Sequence, residues 1–125
     1  MNNINTKIDF ATYTVLVKMI ATGFFDDDLN YVPHFGKLNA MRLFYNFCVK
    51  EDIDNIPHDT GDLDEVMLLV RNEHFVSLFN EAIKIKQIEF DFANAYKDAI
   101  TSAKFDAAHR RETETVKKIK DFFGI

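Results

Sequence analysis

Apolar residues recur along most of this chain at intervals of three and four, the spacing that gathers side chains on one side of an α-helix. Over about 10–22, Val15, Leu16, Met19 and Ile20 fall at that spacing. Asp9 stands where an N-cap belongs, and Gly23 stands where a C′ residue ends the helix. A second helix is predicted over about 38–50, with Met41, Phe44, Tyr45 and Cys48 as one stripe, Leu38 and Phe47 beside it and Asn39 as an early cap. A third follows Asp62, which caps a segment carrying Leu63, Val66, Met67 and Val70. Glu65, at the third helical position, completes the pattern of a capping box.

Beyond Asn72 neither Gly nor Pro occurs until Gly124. Phe75, Leu78, Phe79, Ala82 and Ile85 continue one face, and Ile88, Phe92, Ala95, Ala99, Ala103 and Ala107 extend it. This stretch reads as one or two long helices, a single one over about 73–108 being an option. At roughly 1.5 Å per residue such a helix is longer than a domain of this size is wide, so part of it is expected to protrude or to pack on another subunit. The end, 113–123, carries Val116, Ile119 and Phe122 or Phe123 on one face and reads as a docking segment.

Two loops join the first three helices. Residues 24–36, bounded by Gly23 and Gly36, hold Phe24, Phe25, Leu29, Tyr31, Val32 and Phe35, too many apolar groups for a solvated tether. The loop is expected to fold back on the core, with a short extended piece. Residues 51–62 form the second loop. The fold class that follows is all-α: one helical domain over 1–125, compact over about 1–72, with a long helix and docking tail over about 73–125. Only 4 Gly and 2 Pro occur, too few turn residues for a sandwich or barrel.

Composition narrows the function classes. Apolar residues at 47% and charged residues at 28% are ordinary for a globular domain. The net charge of −5 argues against a general affinity for nucleic acid. Cys48 is the single cysteine, so no disulfide framework exists, and on an apolar stripe it reads as a small buried hydrophobe. The first residues lack the charged start and apolar run of a secretory signal, and the most apolar stretch, from Tyr13 to Phe25, is too short to span a bilayer. The chain is therefore read as intracellular at synthesis and as making no membrane contact.

The charges are unevenly placed. Residues 26–65 hold ten acids against Lys37, Arg42 and Lys50, a local charge of −7. From Lys104 onward, Lys104, Arg110, Arg111, Lys117, Lys118 and Lys120 oppose four acids, a local charge of +2. Solvated faces explain such a map, and so does head-to-tail complementarity between subunits, a heterologous contact that makes rings or filaments; nucleic-acid contact by the tail is a third reading, for which Arg110 and Arg111 carry little of the needed charge.

Motifs that would carry catalysis fail in context. Asp59-Thr60-Gly61 matches the tripeptide of aspartic proteases, but its polar flanks and the helix start after it leave Gly61 shaping a loop. Asp26-Asp27-Asp28 offers carboxylates to a hard cation without the alternating acids, central Gly and closing Glu of a calcium loop. His34, His58, His74 and His109 have no metal-binding spacing; a metal-dependent hydrolase would need His34 or His58 to converge on Asp26–Asp28. No phosphate-binding Gly-rich loop, nucleophile elbow or dinucleotide fingerprint is present. No cofactor, metal or catalytic residue is assigned.

The residues offered for partner binding are the surplus aromatics and charges: Phe24, Phe25, Asp26, Asp27, Asp28, Tyr31 and Phe35 in the first loop, with Arg110, Arg111, Lys117, Lys118, Phe122 and Phe123 at the end. Surplus aromatics of this kind mark protein interfaces. The segment Phe10-Ala11-Thr12-Tyr13-Thr14-Val15-Leu16-Val17-Lys18-Met19-Ile20, followed by a loop, a helix like Leu38–Phe47, an acidic stretch and a long closing helix, resembles small helical proteins of phage morphogenesis clusters. That resemblance spreads over about 100 residues, carries no diagnostic motif and transfers no functional residue. It implies a virion or assembly component, made in a bacterial host, that docks in a neck, tail or ring. The expected function is a non-enzymatic structural or adaptor protein whose partners are itself or other virion proteins. The alternative is a small acidic inhibitor of a host nucleic-acid-handling protein, with 26–65 mimicking phosphates.

Overall fold

In the computed structural model, which describes residues 4, 5, 7–84 and 91–124 (side chains of 111–116 and 123 excepted), the chain forms five helices and no sheet among those residues. They are α1 (Phe10–Thr22), α2 (Pro33–Phe47), α3 (Leu63–Arg71), α4 (Glu73–Ala82) and α5 (Phe92–Phe123). The fold is all-α, with the shorter helices packed on a long closing one. No described helix is long and apolar enough to cross a membrane.

α1 follows the pattern. Asp9 caps it, its carboxylate accepting from the Thr12 N–H at 2.7 Å, a bond that holds the carboxyl below its ordinary range. Leu16 and Ile20 are fully buried, one turn apart. Gly23 ends the helix with φ −66°, in the right-handed region. It is a glycine for a different reason, because a Cβ there would run into the Asn39 side chain of α2.

α2 starts earlier than its stripe suggests. Val32 is the N-cap residue, without a side-chain cap, and Pro33 opens the first turn, where its fixed φ is already helical and its missing N–H costs nothing. Gly36 therefore lies inside the helix and bounds no loop. Asn39 caps nothing; its amide donates to the Met19 carbonyl at 2.9 Å and its Oδ1 accepts from Arg42 at 2.8 Å, tying α1 to α2. The helix stops at Phe47, short of 50, and Val49 pairs with Ile4 in an isolated antiparallel bridge.

The core is aromatic. The Phe44 ring centroid lies 6.0 Å from Phe75, 5.6 Å from Phe79 and 4.9 Å from Phe92, joining α2, α4 and α5. Tilted and edge-on pairs of this kind are each worth about 0.5–1.5 kcal/mol beyond their buried area. The second loop is pinned from below by Tyr45, whose hydroxyl donates to the Ile56 carbonyl at 2.5 Å and accepts from the Ile53 N–H at 3.3 Å.

Asp62 caps α3 as expected, accepting from the Asp64 N–H at 2.8 Å. The reciprocal half of the capping box is not made: Glu65 accepts from the Thr60 hydroxyl at 2.8 Å, and that hydroxyl accepts from the Asp62 N–H at 3.3 Å. α3 is also rotated from the predicted face, burying Val66 and Leu69 and leaving Leu63 exposed.

The stretch after Asn72 is two helices, not one. α4 ends at Ala82 and α5 opens at Asp91, whose buried carboxylate caps it through the Asn94 N–H at 2.8 Å. Ile85 and Ile88 lie outside the described residues. The stripe Phe92, Ala95, Ala99, Ala103 and Ala107 is buried, its small side chains letting α1 pack closely against α5. The expected separate docking segment is the last part of this same helix, which runs unbroken for 32 residues to Gly124, a left-handed C-cap at φ 69°.

Candidate interaction surfaces

Three surfaces collect the residues singled out for partner binding. The first lies where the α1–α2 loop meets α5. Asp26 organises the loop, accepting from the Asp28 N–H at 3.0 Å, the Asn30 N–H at 2.8 Å and the Asn30 amide at 3.3 Å. This is an Asx-type turn, in which the aspartate replaces missing backbone partners. Leu29, at its tip, is exposed and sits at φ 64°, a conformation unusual for a branched apolar residue. The Arg110 guanidinium stands 4.8 Å from the centre of the Phe25 ring and reaches the Leu29 carbonyl at 3.5 Å. Phe25, Asp26, Asp27 and Arg110 thus line one groove of about 600 Å³. Acidic loop and basic helix meet here within a single chain.

The rest of the loop divides. Phe24 is a core residue, 4% exposed, not an interface aromatic. Its ring lies where a Gly36 Cβ would be and stacks on Tyr31 at 5.9 Å. Tyr31 is half-buried between Phe24 and Phe25, also more core than surface. Asp27 and Asp28 are exposed.

Phe35 belongs to a second surface. One turn into α2 and 52% exposed, it borders an apolar groove of about 280 Å³ between α2 and α3, with Leu38, Leu63 and Val66. Leu63, 67% exposed, stands between the exposed carboxylates of Asp62 and Asp64. At the back of the groove Arg42 is occupied, donating to the Thr60 carbonyl at 3.3 Å and to Asn39. Leu63 falls at the helical spacing of Val66, Met67 and Val70 yet is exposed, because α3 buries the face of Val66 and Leu69 instead.

The third surface is the end of α5. At about 1.5 Å per residue its 32 residues extend ~48 Å, against a diameter of ~36 Å for a compact chain of this length. Among the described side chains the buried stripe runs as far as Ala107. Lys117, Lys118, Ile119, Lys120 and Phe122 are all exposed, Ile119 by 51% and Phe122 by 85%. Ile119 and Phe122, three residues apart, share a face. Arg111 and Phe123 fall among the side chains outside the described set.

The acids of 26–65 have local work. Glu51 contacts His74, Asp52 accepts from His58 at 3.1 Å, and Asp54 accepts from Asn72 at 3.2 Å. With Asp26, Asp62 and Glu65 this makes six of the ten engaged in holding loops and helix starts. His58 stacks on Tyr45, and its Nδ1 lies 3.1 Å from the Tyr45 carbonyl. His34 instead faces a groove beside Lys37. Among the described residues no three His, Cys, Asp or Glu side chains gather as a metal site. Burial pushes the Cys48 thiol up to about 12. No protein-family model, characterised protein or solved structure matches the chain.

Proposed function

We propose that this chain is a non-enzymatic structural or adaptor protein that docks on protein partners through the projecting end of α5. The observation that carries the reading is a helix running beyond the described part of its buried stripe and presenting Ile119 and Phe122 on an end that carries Lys117, Lys118 and Lys120. An apolar pair on a helix end that carries three lysines against one aspartate suits insertion into a groove of opposite charge. In the phage-morphogenesis setting that the sequence resembles, the partner is a component of a neck, tail or ring. A phosphate-mimicking inhibitor needs the acids of 26–65 free to face a partner, and six of them hold the fold instead.

Site-specific photocrosslinking in the producing cells tests this. A photoreactive side chain in place of Ile119 should give a discrete protein adduct, while one in place of exposed Lys97 on the body should not. The reading fails if neither position gives an adduct or if both give the same pattern.

A further inference from the structure

The end of α5 and the groove between α2 and α3 are both apolar and exposed, and the charges beside them are of opposite sign. The groove is lined by Phe35, Leu38, Leu63 and Val66 with Arg42 in its wall; Asp64, next to Leu63 in the chain, and Asp59, on the loop before it, are exposed. The helix end offers Ile119 and Phe122, flanked by Lys118, with Lys117, Lys120 and Asp121 exposed farther round the helix. Resting on the docking reading above, we infer that this groove is the socket for the α5 end of a second copy of the chain.

One chain cannot satisfy both halves. α5 is unbroken to Phe123, and Ile119 stands ~18 Å along the axis beyond Ala107, the last described position of the buried stripe. Without a hinge the helix has no way to turn back, and within one copy both Ile119 and Leu63 remain exposed. The contact joins two different patches, so each copy keeps one unused half, and repetition gives a ring or a filament. One helix end in one groove is a small interface, so association depends on concentration. The lysine–aspartate pairing steers it and is screened by salt.

The test uses full-length chains and two complementary lesions. Ile119→Glu destroys the inserted end, and Leu63→Lys destroys the socket; both residues are exposed, so helical content and melting temperature should match the parent. Each variant alone should self-associate roughly tenfold more weakly or not at all by sedimentation velocity. Mixed in equal amounts they should form a closed pair of twice 14.5 kDa, because one supplies an intact socket and the other an intact helix end. The inference is overturned if the parent is monomeric at every concentration, if either variant assembles like the parent, or if the mixture stays monomeric. A monomeric parent that still crosslinks through position 119 to a different protein refutes the socket and leaves the docking reading standing. A monomer with no crosslink refutes both.

Discussion

Replacing Gly36 by alanine puts a methyl group where the Phe24 ring already lies. In an ordinary helix interior this change is favourable by about 1 kcal/mol, because glycine surrenders more backbone freedom on folding. Here the ring cannot step aside: Phe24 is 4% exposed and stacked on Tyr31. Overpacking of this kind costs about 1–3 kcal/mol, and expelling the ring forfeits about 1.5–3 kcal/mol of burial. Subtracting the helix gain leaves Gly36→Ala destabilised by about 1 kcal/mol and by no more than about 2, or roughly 3–10 °C in Tm for a chain of this length. Urea unfolding followed by circular dichroism should show a lower midpoint at unchanged slope. Gly61→Ala, at a site where a Cβ meets nothing within 4 Å, should leave the midpoint unchanged or slightly raised. In a Phe24→Ala background the same Gly36→Ala change should become stabilising, since the obstruction is gone. A Gly36→Ala protein as stable as the parent would refute the role given to this glycine.

Leu29→Gly should stabilise the fold by about 1 kcal/mol, because a left-handed backbone penalises a branched side chain; an unchanged or lower urea midpoint would count against strain at the turn. Tyr45→Phe should cost about 1–3 kcal/mol, since it strands the Ile56 carbonyl and the Ile53 N–H, and a loss below 0.5 kcal/mol would show the second loop is pinned elsewhere. Alkaline pH should destabilise the chain. Burial holds the Cys48 thiol at about 12 against its ordinary 9.0, and burial together with the hydrogen bond to Asp98 holds Tyr13 at about 12 against 10.0. Both keep their protons in the folded state, so their contribution is intact below about pH 9 and is lost as pH climbs from 9 to 12. Urea midpoints from pH 8 to 11 should fall steadily, and a rise would reverse the sign. At pH 8 the Cys48 thiol should react with a disulfide reagent only as fast as the chain opens, so reaction at the rate of a free thiol would contradict its burial.

What was legible in the sequence was local. Asp9 and Asp62 announce helix starts because a short carboxylate can satisfy a nearby N–H, and the 3–4 spacing of Leu16 and Ile20 or of Phe75 and Phe79 states which face is buried. The start of α2 was hidden because Val32 offers no cap and Gly36 looks like a breaker. The reason for Gly36 is the Phe24 ring across the loop, a contact that no local spacing displays. The clasp of Arg110 on Phe25 and Leu29 joins residues more than 80 positions apart, so composition showed only that an acidic and a basic region exist. The surplus aromatics divide between surface and core. Phe35 and Phe122 do face solvent, whereas Phe24 was claimed by the core because a bundle of short helices fills its gaps with whatever rings the loops supply.

The most direct test of self-docking is the native mass of the full-length protein, by light scattering over a range of protein and salt concentrations. Head-to-tail docking predicts a mass that rises above 14.5 kDa with protein concentration and returns to 14.5 kDa as salt screens the lysine–aspartate contacts. A mass of 14.5 kDa at every concentration, or an assembly indifferent to salt, would contradict it.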